Sequence, residues 1–430
     1  MKLDREHLDQ ILRSHQACRE RALTPLDVPL AFSTRFAPSL SLERLIDGRI
    51  IATPYGDCLF VEHHYPLDMA RGPARLGDLM HLSAGFAAGG FQAARFSPQP
   101  GLDQLNLTSA VFLDAETTGL SGGAGTLAFL IGIGRLEGDR FVVRQFFMRN
   151  PSEERALLHA IAAAMVGSTM VVTFNGHTFD LPLLATRFRL ARQPLPLADL
   201  PHFDVLAAAR RLWRWRLGSC ALAHLERKVL GFERTEEDVP SWLIPILYQR
   251  YLQDGLVGPM ARVFYHNRED VLSMATLTIV LCQAYLTAED ATVLHPIDWA
   301  SLGRVFEDAG DWRRAERAYR QALSQPLPDE VRRATLARLG WLLKRQQRHQ
   351  EAAALWEEWI TSIPGDDVTP FLELAKHHEW HTRDVKAALM WSQWARRLVE
   401  GWPPGPARHR ALSDLDHRIV RLLRKQGKAL

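Results

Sequence analysis

Apolar and polar residues follow two different periodicities along this chain. Three apolar runs, AVFLDAE, TLAFLIGIGRL and FVVRQFFMR, are joined by turns that contain glycine, and they predict three successive strands after residue 109. A helical pattern follows in SEERALLHAIAAAMV, for which Ser152 is the expected N-cap, and then MVVTF predicts a strand and FDLPLLATRFRLA a helix. Three strands followed by alternating helices and strands predict an α/β fold, a mixed sheet flanked by helices.

The segments on either side of this pattern have their own signals. Residues 1 to about 40 begin with a short amphipathic helix, and GRIIATPYGDCLFVEHHYP predicts two short strands around a turn at 54–57. From about 204 to 288 the pattern is helical. The uncharged run 271–288 predicts a core helix rather than a membrane span, because Ser, Thr and Gln interrupt it.

A helix-pair pattern recurs three times after residue 294. Small residues at Ala315, Ala352 and Ala387 would let paired helices approach each other, and an aromatic residue follows each of them four positions later. This is typical of tetratricopeptide repeats, which have a period of about 34 residues and need about three copies to bury a continuous core. A generic helical bundle is the alternative. The tail HRIVRLLRKQGKAL predicts a basic amphipathic helix that caps the array.

These patterns together predict four regions. They are an N-terminal helix and short-strand extension over 1–105, an α/β domain over 106–290, tetratricopeptide-like repeats over 294–402 and a basic helix over 403–430.

Composition narrows the class of protein. A chain of 430 residues with 47% hydrophobic and 23% charged residues is an ordinary globular protein of two or three domains. The formal net charge of +3 is too small to indicate a nucleic-acid partner, so any basic surface must be local. The four cysteines form no CxxC pair, which argues against a zinc site or a disulfide framework and predicts a cytoplasmic protein. The N-terminus lacks the apolar core of a signal peptide.

Candidate chemistry begins with two acids on the first of the three strands. Asp114 and Glu116 lie two residues apart in VFLDAETTGLSGGAGTLAFLIG and therefore project from one face of the strand. Carboxylates this close repel each other unless a positive charge lies between them. They either hold a metal ion or face solvent at a polar strand end. The segment GLSGGAGT is not a phosphate-binding P-loop, because it joins two strands and no Lys-Ser or Lys-Thr follows it.

Two further stretches supply partners for these acids. TFNGHTFDLPLL places Asn175 at a strand end and Asp180 at the start of a helix, and FYHNREDVLSM places His266 and Asp270 on one helical face, four residues apart. Each has an ordinary interpretation, as a turn residue, a helix-start acid or a surface pair. With the two strand acids they make four carboxylates, a histidine and an asparagine, an oxygen-rich set that suits Mg²⁺ or Mn²⁺ rather than zinc.

The order, spacing and flanking residues of FLDAETTGL, FNGHTFDLPLL and YHNREDVLSM resemble the DEDD superfamily of 3′–5′ exonucleases on the ribonuclease H-like fold. More closely, the chain is similar to the YprB-like bacterial branch, which is related to the proofreading domains of family B DNA polymerases. The glycine stretch and SCALAHLERKVLG also resemble this branch. The resemblance covers residues 40 to 290, and the C-terminal repeats lie outside it.

The resemblance implies a role for each acid. Asp114 would bridge two divalent ions, Mg²⁺ or Mn²⁺, and Glu116 and Asp270 would complete the shell of one of them. Asp180 would hold the second ion through water. Two such ions would stabilise the attacking water and the departing 3′ oxygen of a phosphodiester.

The resemblance leaves the water-orienting residue open. His266 stands where the polymerase-like enzymes carry a tyrosine, whereas the histidine of the other branch would correspond to Tyr265. An imidazole is competent as a base, so His266 is the catalytic candidate. Asn175 would position the substrate backbone, and Thr117 and Leu120 of the first motif would also contact the substrate.

A basic helix offers a further candidate surface. AARRLWRWRLG places Arg210, Arg211 and Arg214 on about one helical face, with Trp213 and Trp215 between them. Such a cluster suits single-stranded nucleic acid, through phosphate contacts and base stacking, with Arg210 and Arg214 as substrate-binding residues. The alternative is a solvated basic face whose tryptophans belong to the core.

The sequence therefore predicts a metal-dependent 3′–5′ exonuclease that acts on single-stranded DNA or RNA ends, with repeats that bind a protein partner and without a membrane association. Two alternatives remain, an inactive nuclease fold that serves as a scaffold through its repeats and a structure-specific endonuclease on the same fold. The four acids and the candidate base argue against the first alternative. The arrangement around Asn175 and the third-motif helix favours an exonuclease over the second.

Overall fold

A seven-stranded mixed sheet forms the centre of the computed structural model, which describes residues 41–87, 106–119, 125–197, 199–286 and 295–427. The strands are β1 (Arg49–Thr53), β2 (Gly56–Pro66), β3 (Ala70–Arg71), β4 (Ala74–Arg75), β5 (Ala110–Thr117), β6 (Ala128–Glu137), β7 (Arg140–Phe147), β8 (Met170–Thr173) and β9 (His202–Asp204). The sheet order is β1-β2-β7-β6-β5-β8-β9, and β3 pairs with β4 separately. All described helices and strands lie in one compact unit, Leu42–Leu430.

The pairing confirms the predicted mixed sheet. Neighbours from β1 to β5 in the sheet order are antiparallel, whereas β8 is parallel to both β5 and β9. The strand pair predicted around residues 54–57 is present as β1 and β2, and β2 adds to the sheet at β7. β5 therefore lies inside the sheet. Its side chains alternate between two cores, with Ala110 and Phe112 in one and Val111 and Leu113 in the other.

Helices cover both faces of the sheet. They are α1 (Leu42–Leu45), α2 (Asp78–Ala87), α3 (Glu154–Ala164), α4 (Asp180–Ala191), α5 (Val205–Leu217), α6 (Leu222–Leu225), α7 (Ile244–Asp254) and α8 (Gly258–Leu286). The expected N-cap at Ser152 is wrong. Ser152 lies inside a 3₁₀ turn, Pro151–Glu153, and the side chain of Asn150 caps that turn by accepting from the Ser152 N–H at 3.1 Å. Asn150 has the extended backbone of a cap, and Pro151 begins the turn after it.

The long helix α8 packs closely across β5 and β6. Among the described helices it is the one long and apolar enough to cross a membrane, but 78% of its most apolar window is buried inside the protein, as predicted for a core helix. Close approach requires glycine on β6. A methyl group at Gly134 would lie 2.6 Å from Val271 Cγ1, and one at Gly132 would overlap the side-chain oxygen of Asn267. The glycines thus set the distance between the sheet and the helix that carries the third motif.

The C-terminal region consists of three helix pairs and a final helix, as the repeat pattern predicts. The helices are α9 (Pro296–Asp308), α10 (Trp312–Leu323), α11 (Asp329–Arg345), α12 (His349–Ser362), α13 (Thr369–Trp380), α14 (Val385–Glu400) and α15 (Pro406–Gly427). In the second pair a methyl group at Gly340 would lie 2.5 Å from the Trp356 ring, so glycine lets the two helices close on the aromatic residue. Basic residues of α15 bind the buried carboxylate of Glu379 on α13, at distances of 2.6–3.0 Å: Arg418, Arg421 and Lys425.

The first repeat helix shares a hydrophobic core with the sheet domain. Trp299 and Leu302 of α9 belong to the same buried cluster as Leu212 and Trp213 of α5. Two ion pairs flank this contact, Arg216 Nε to Asp298 Oδ1 at 2.8 Å and Arg211 Nη2 to Asp308 Oδ2 at 2.9 Å. The repeats are thus packed directly against a helix of the sheet domain.

Several predicted features lie outside the described residues. They are the amphipathic helix before residue 40, the substrate residue Leu120, residues 121–124 of the glycine-rich stretch and the end of the basic tail, 428–430.

The contact at Gly134 predicts a stability difference between two matched substitutions. Gly134→Ala should lower the free energy of unfolding by about 1–3 kcal/mol, because the added methyl group overlaps Val271 and Phe141. Gly125→Ala is the control, since a methyl group there meets nothing within 4 Å. Urea unfolding followed by circular dichroism measures both variants. Equal midpoints for the two would contradict the proposed packing.

Candidate metal centre

Three elements bring the four predicted acids together. Asp114 and Glu116 project from the end of β5, Asp180 begins α4, and Asp270 lies on α8, which crosses β5. A ligand atom from each of Glu116, His266 and Asp270 lies within 4.8 Å of the other two. The structure thus assembles residues that are separated by up to 156 positions in the sequence, and it gathers them at the end of one central strand.

Each of three acids is held in an environment that disfavours its charge. Burial raises the pKa of Asp114 well above its usual range, and the neighbouring acids Asp270, Glu116 and Asp180 raise it further. Burial also raises the pKa of Glu116 to about 8 and that of Asp180 to about 7. Backbone N–H groups of Asp180 and Ala115 oppose the shift at Asp180. The cluster has more negative charge than its own surroundings can stabilise, which is the condition that a bound cation relieves.

His266 points into this cluster. Its Nε2 atom lies 3.6 Å from Asp270 Oδ2 and 3.9 Å from Glu116 Oε1, and its Nδ1 atom lies 2.7 Å from Asp238 Oδ1. Burial alone would lower the pKa of His266, but Asp270, the hydrogen bond to Asp238 and Glu116 outweigh it and raise the pKa to about 9. In the metal-free protein these contacts therefore favour the protonated, positively charged imidazole.

Tyr265 lies in a different environment. Its hydroxyl accepts a hydrogen bond from the Thr235 N–H at 3.2 Å, and the Arg268 guanidinium lies 5.2 Å from its ring centre. One residue along a helix turns the side chain by about 100°. Of the two residues that the sequence left open, His266 is the one that faces the acids.

Arg234 is a central residue of the site that the sequence analysis missed. It is buried, pairs with Asp270, and binds Glu226 through Nη2 to Oε1 at 2.6 Å and Nε to Oε2 at 2.9 Å. Burial lowers the pKa of Arg234, but Asp270 and Glu226 outweigh this and raise it. A signal was present, because Arg234 is the one basic residue within FERTEED and an acid cluster needs a counter-charge.

Asn267 and Gln145 orient Asp114. Asn267 Nδ2 donates to Asp114 Oδ2 at 2.8 Å, while its Oδ1 accepts from Gln145 Nε2 at 2.8 Å. Gln145 Nε2 also donates to the Phe264 carbonyl at 2.8 Å. Both amide side chains are fully buried. Asn267 was visible in the third motif as the residue after His266, but its contact with β5 depends on how α8 crosses the sheet.

Asn175 lies in a turn that Asp204 stabilises. Asn175 has a left-handed backbone with φ of 69°, and its N–H donates to Asp204 Oδ1 at 2.8 Å. Asp204 also accepts from the His177 N–H at 3.2 Å and caps α5 through the Leu206 N–H at 3.0 Å. Its negative charge adds to the raised pKa of Asp180. Asp204 was detectable as an acid directly before a helical pattern, the position of an N-cap.

The remaining predicted substrate residues lie at different distances from the acids. Thr117 follows Glu116 on β5 and donates through Oγ1 to the Gly119 carbonyl at 2.9 Å. Arg210 and Arg214 are exposed on α5, about 9 and 15 Å along the helix from its cap at Asp204. Trp213 is only 2% exposed and belongs to the core, so it offers no face for base stacking. The alternative interpretation of this helix therefore holds for Trp213.

The donor set fits a divalent cation. Four carboxylates converge here, burial opposes the charge of Asp114, Glu116 and Asp180, and one imidazole nitrogen faces the same space. Oxygen-rich sites of this kind hold hard divalent ions.

Comparison with known proteins agrees with this arrangement. Residues 111–282 match the RNase H superfamily, and residues 299–332 match the tetratricopeptide repeat. The chain is 32% identical over 334 residues to the uncharacterized protein YprB of Bacillus subtilis (strain 168). That alignment covers 77% of this chain and 78% of the relative.

The buried pair of Arg234 and Glu226 predicts a strong effect on stability. Arg234→Gln should destabilise the metal-free protein by about 3–5 kcal/mol, because it leaves the Glu226 carboxylate buried without its partner. Adding Glu226→Gln should recover part of the loss, since that change removes the unpaired charge. Thermal unfolding in EDTA measures both variants, with Arg250→Gln on the exposed face of α7 as control. If the Arg234→Gln variant were as stable as this control, the Arg234–Glu226 pair would not be important for stability.

Proposed function

This chain belongs to the YprB family of RNase H superfamily proteins, and from this we propose that it is a divalent-metal-dependent 3′–5′ exonuclease that hydrolyses phosphodiester bonds of nucleic acid. One observation carries the proposal, the convergence of Asp114, Glu116, Asp180 and Asp270 at the end of β5. Repulsion and burial raise the pKa of three of these acids. Without a bound cation, such a cluster of acids would only destabilise the fold.

The residues of the chain divide the work of holding ions and substrate. Two divalent ions, Mg²⁺ or Mn²⁺, would stabilise the attacking and leaving oxygens of the phosphodiester. The charges of Asp270, Glu116 and Asp180 all act on Asp114, which suits a residue shared between two ions. Asn267 holds one oxygen of Asp114, and Arg234 holds one oxygen of Asp270. His266 lies between Glu116 and Asp270, where it would act as the base that takes a proton from the attacking water.

Substrate contacts are proposed for the surface around the acids. Thr117 and Asn175 come from the ends of β5 and β8, the two parallel neighbours in the sheet, and would contact the nucleic-acid backbone near its 3′ end. Arg210 and Arg214 would bind phosphates further from the reacting bond, since their side chains are exposed. The helical repeats would bind a protein partner, the usual role of such arrays.

The proposal predicts that cleavage requires the carboxylate of Asp114. Asp114→Asn should abolish cleavage, because it removes a ligand that both ions share. In EDTA the same variant should melt about 2 °C or more above the wild type, since it replaces a carboxyl group whose charged form burial and the neighbouring acids destabilise. Asp139→Asn is the matched control, because the Asp139 side chain is 92% exposed.

The assay uses 5′-labelled single- and double-stranded DNA and RNA with Mg²⁺, Mn²⁺ or EDTA. An exonuclease gives a ladder that shortens from the 3′ end. An endonuclease cuts at internal positions and does not need a free end. Full activity of Asp114→Asn, or of the wild type in excess EDTA, would contradict the metal-dependent mechanism. A folded wild type that binds Mn²⁺ but cleaves none of the four substrates would favour the scaffold alternative.

A further inference from the structure

We propose that His266 is a metal ligand, that Glu116 and Asp270 complete its ion site, and that Asp238 is the positioning residue that orients the imidazole. The inference deepens the proposed function and rests on it, because the site is one of the two proposed above. It differs from that proposal in giving His266 a bond to the ion in place of a proton-transfer role.

The three ligand atoms surround a space of the right size. His266 Nε2 lies 3.6 Å from Asp270 Oδ2 and 3.9 Å from Glu116 Oε1. Ligands bound at about 2.0–2.2 Å to one ion lie roughly 3–4 Å from each other. Each of the three atoms lies within 4.8 Å of the other two, so they can face one ion, and they are the one such group of His, Cys, Asp and Glu within the part of the chain that the structure describes.

The opposite side of the imidazole has the partner that a metal-binding histidine needs. Nδ1 lies 2.7 Å from Asp238 Oδ1, so Nδ1–H donates to the carboxylate. Nε2 faces the acids and lies 3.3 Å from the Ser241 hydroxyl, and it would offer its lone pair to an ion that displaces its proton. Arg234 Nη1 lies 3.4 Å from the same carboxylate oxygen, and as a second donor it helps to hold Asp238 in place. Metal-binding histidines commonly donate their other N–H to a carboxylate in this way, which fixes the tautomer and strengthens the ligand.

Asp270 is oriented in the same manner. Arg234 binds its Oδ1 atom, which leaves Oδ2 facing His266. The buried carboxylate of Glu226 in turn holds Arg234. Each of the two ligands on α8 thus has a hydrogen-bond partner on the side away from the ion. The Asp238 carboxylate orients the His266 imidazole, and the Arg234 guanidinium orients the Asp270 carboxylate.

A nitrogen ligand changes which ion the site prefers. Carboxylate oxygens suit Mg²⁺ and Mn²⁺ alike, but imidazole favours first-row transition ions over Mg²⁺. The Glu116–His266–Asp270 site should therefore bind Mn²⁺ more tightly than Mg²⁺. His266→Ala should reduce this preference because it removes the nitrogen and keeps both carboxylates.

Mn²⁺ titration of the full chain, followed by calorimetry and pulsed electron paramagnetic resonance, tests the assignment. The wild type should show coupling of bound Mn²⁺ to an imidazole ¹⁴N, which carboxylates and water cannot give. His266→Ala should lose the coupling, and both His266→Ala and Asp238→Asn should bind Mn²⁺ about 10–100-fold more weakly. Glu237→Gln, an equal charge change at the neighbouring exposed residue, should bind as the wild type does.

The outcomes separate this inference from the proposed function. Bound Mn²⁺ without ¹⁴N coupling, and with unchanged affinity in His266→Ala, would overturn the ligand assignment and leave the metal-dependent nuclease standing. Failure of the folded wild type to bind Mn²⁺ would overturn both. The coupling is measured on the wild type, so the result stands even if His266→Ala, a change at a buried position, is found by circular dichroism not to fold.

Discussion

Four carboxylates gathered at the half-buried end of one strand need positive charge, and that requirement organises the surrounding structure. Arg234 and His266 supply it within the protein, the first from the segment before α7 and the second from α8. Both are themselves held by acids, Glu226 and Asp238. The acids at the end of β5 are thus surrounded by two positive groups, and each positive group contacts a further acid outside it. Loss of Arg234 or His266 is therefore costly, because it leaves the acids that they contact without positive charge.

The packing of α8 on the sheet determines where the charged groups of the third motif lie relative to the acids of β5. Two glycines on β6 let the helix approach the sheet, and Asn267 then reaches Asp114 while Asp270 and His266 reach Glu116. The same contact therefore contributes to stability and to the position of the ligands. A bulkier β6 would shift the helix by a fraction of its diameter and move the groups of the third motif together relative to β5, since they all lie on one rigid element.

The paired acids and the strands β1, β2 and β5 to β8 could be predicted because they depend on local periodicity, whereas the three-residue strand β9 was not predicted. Asp114 and Glu116 share a face by the alternation of a strand, and His266 and Asp270 share one by the turn of a helix. Arg234, Gln145 and Glu226 were missed because their roles arise from contacts across the fold, which no local spacing encodes. The choice between His266 and Tyr265 had the same origin, since it depends on the rotation of α8 about its own axis. The N-cap predicted at Ser152 was a local error, because Pro151 starts a 3₁₀ turn that Asn150 caps.

The core shared by α5 and α9 has a mechanical consequence. A module joined only by a flexible linker would let its cargo sample a broad volume, and its effective concentration at the nuclease would depend on linker length. Here buried Trp299 and Trp213 and the Arg216–Asp298 ion pair join the first repeat to the sheet domain directly. A molecule bound by that repeat would therefore be held at a fixed distance and orientation relative to the sheet domain.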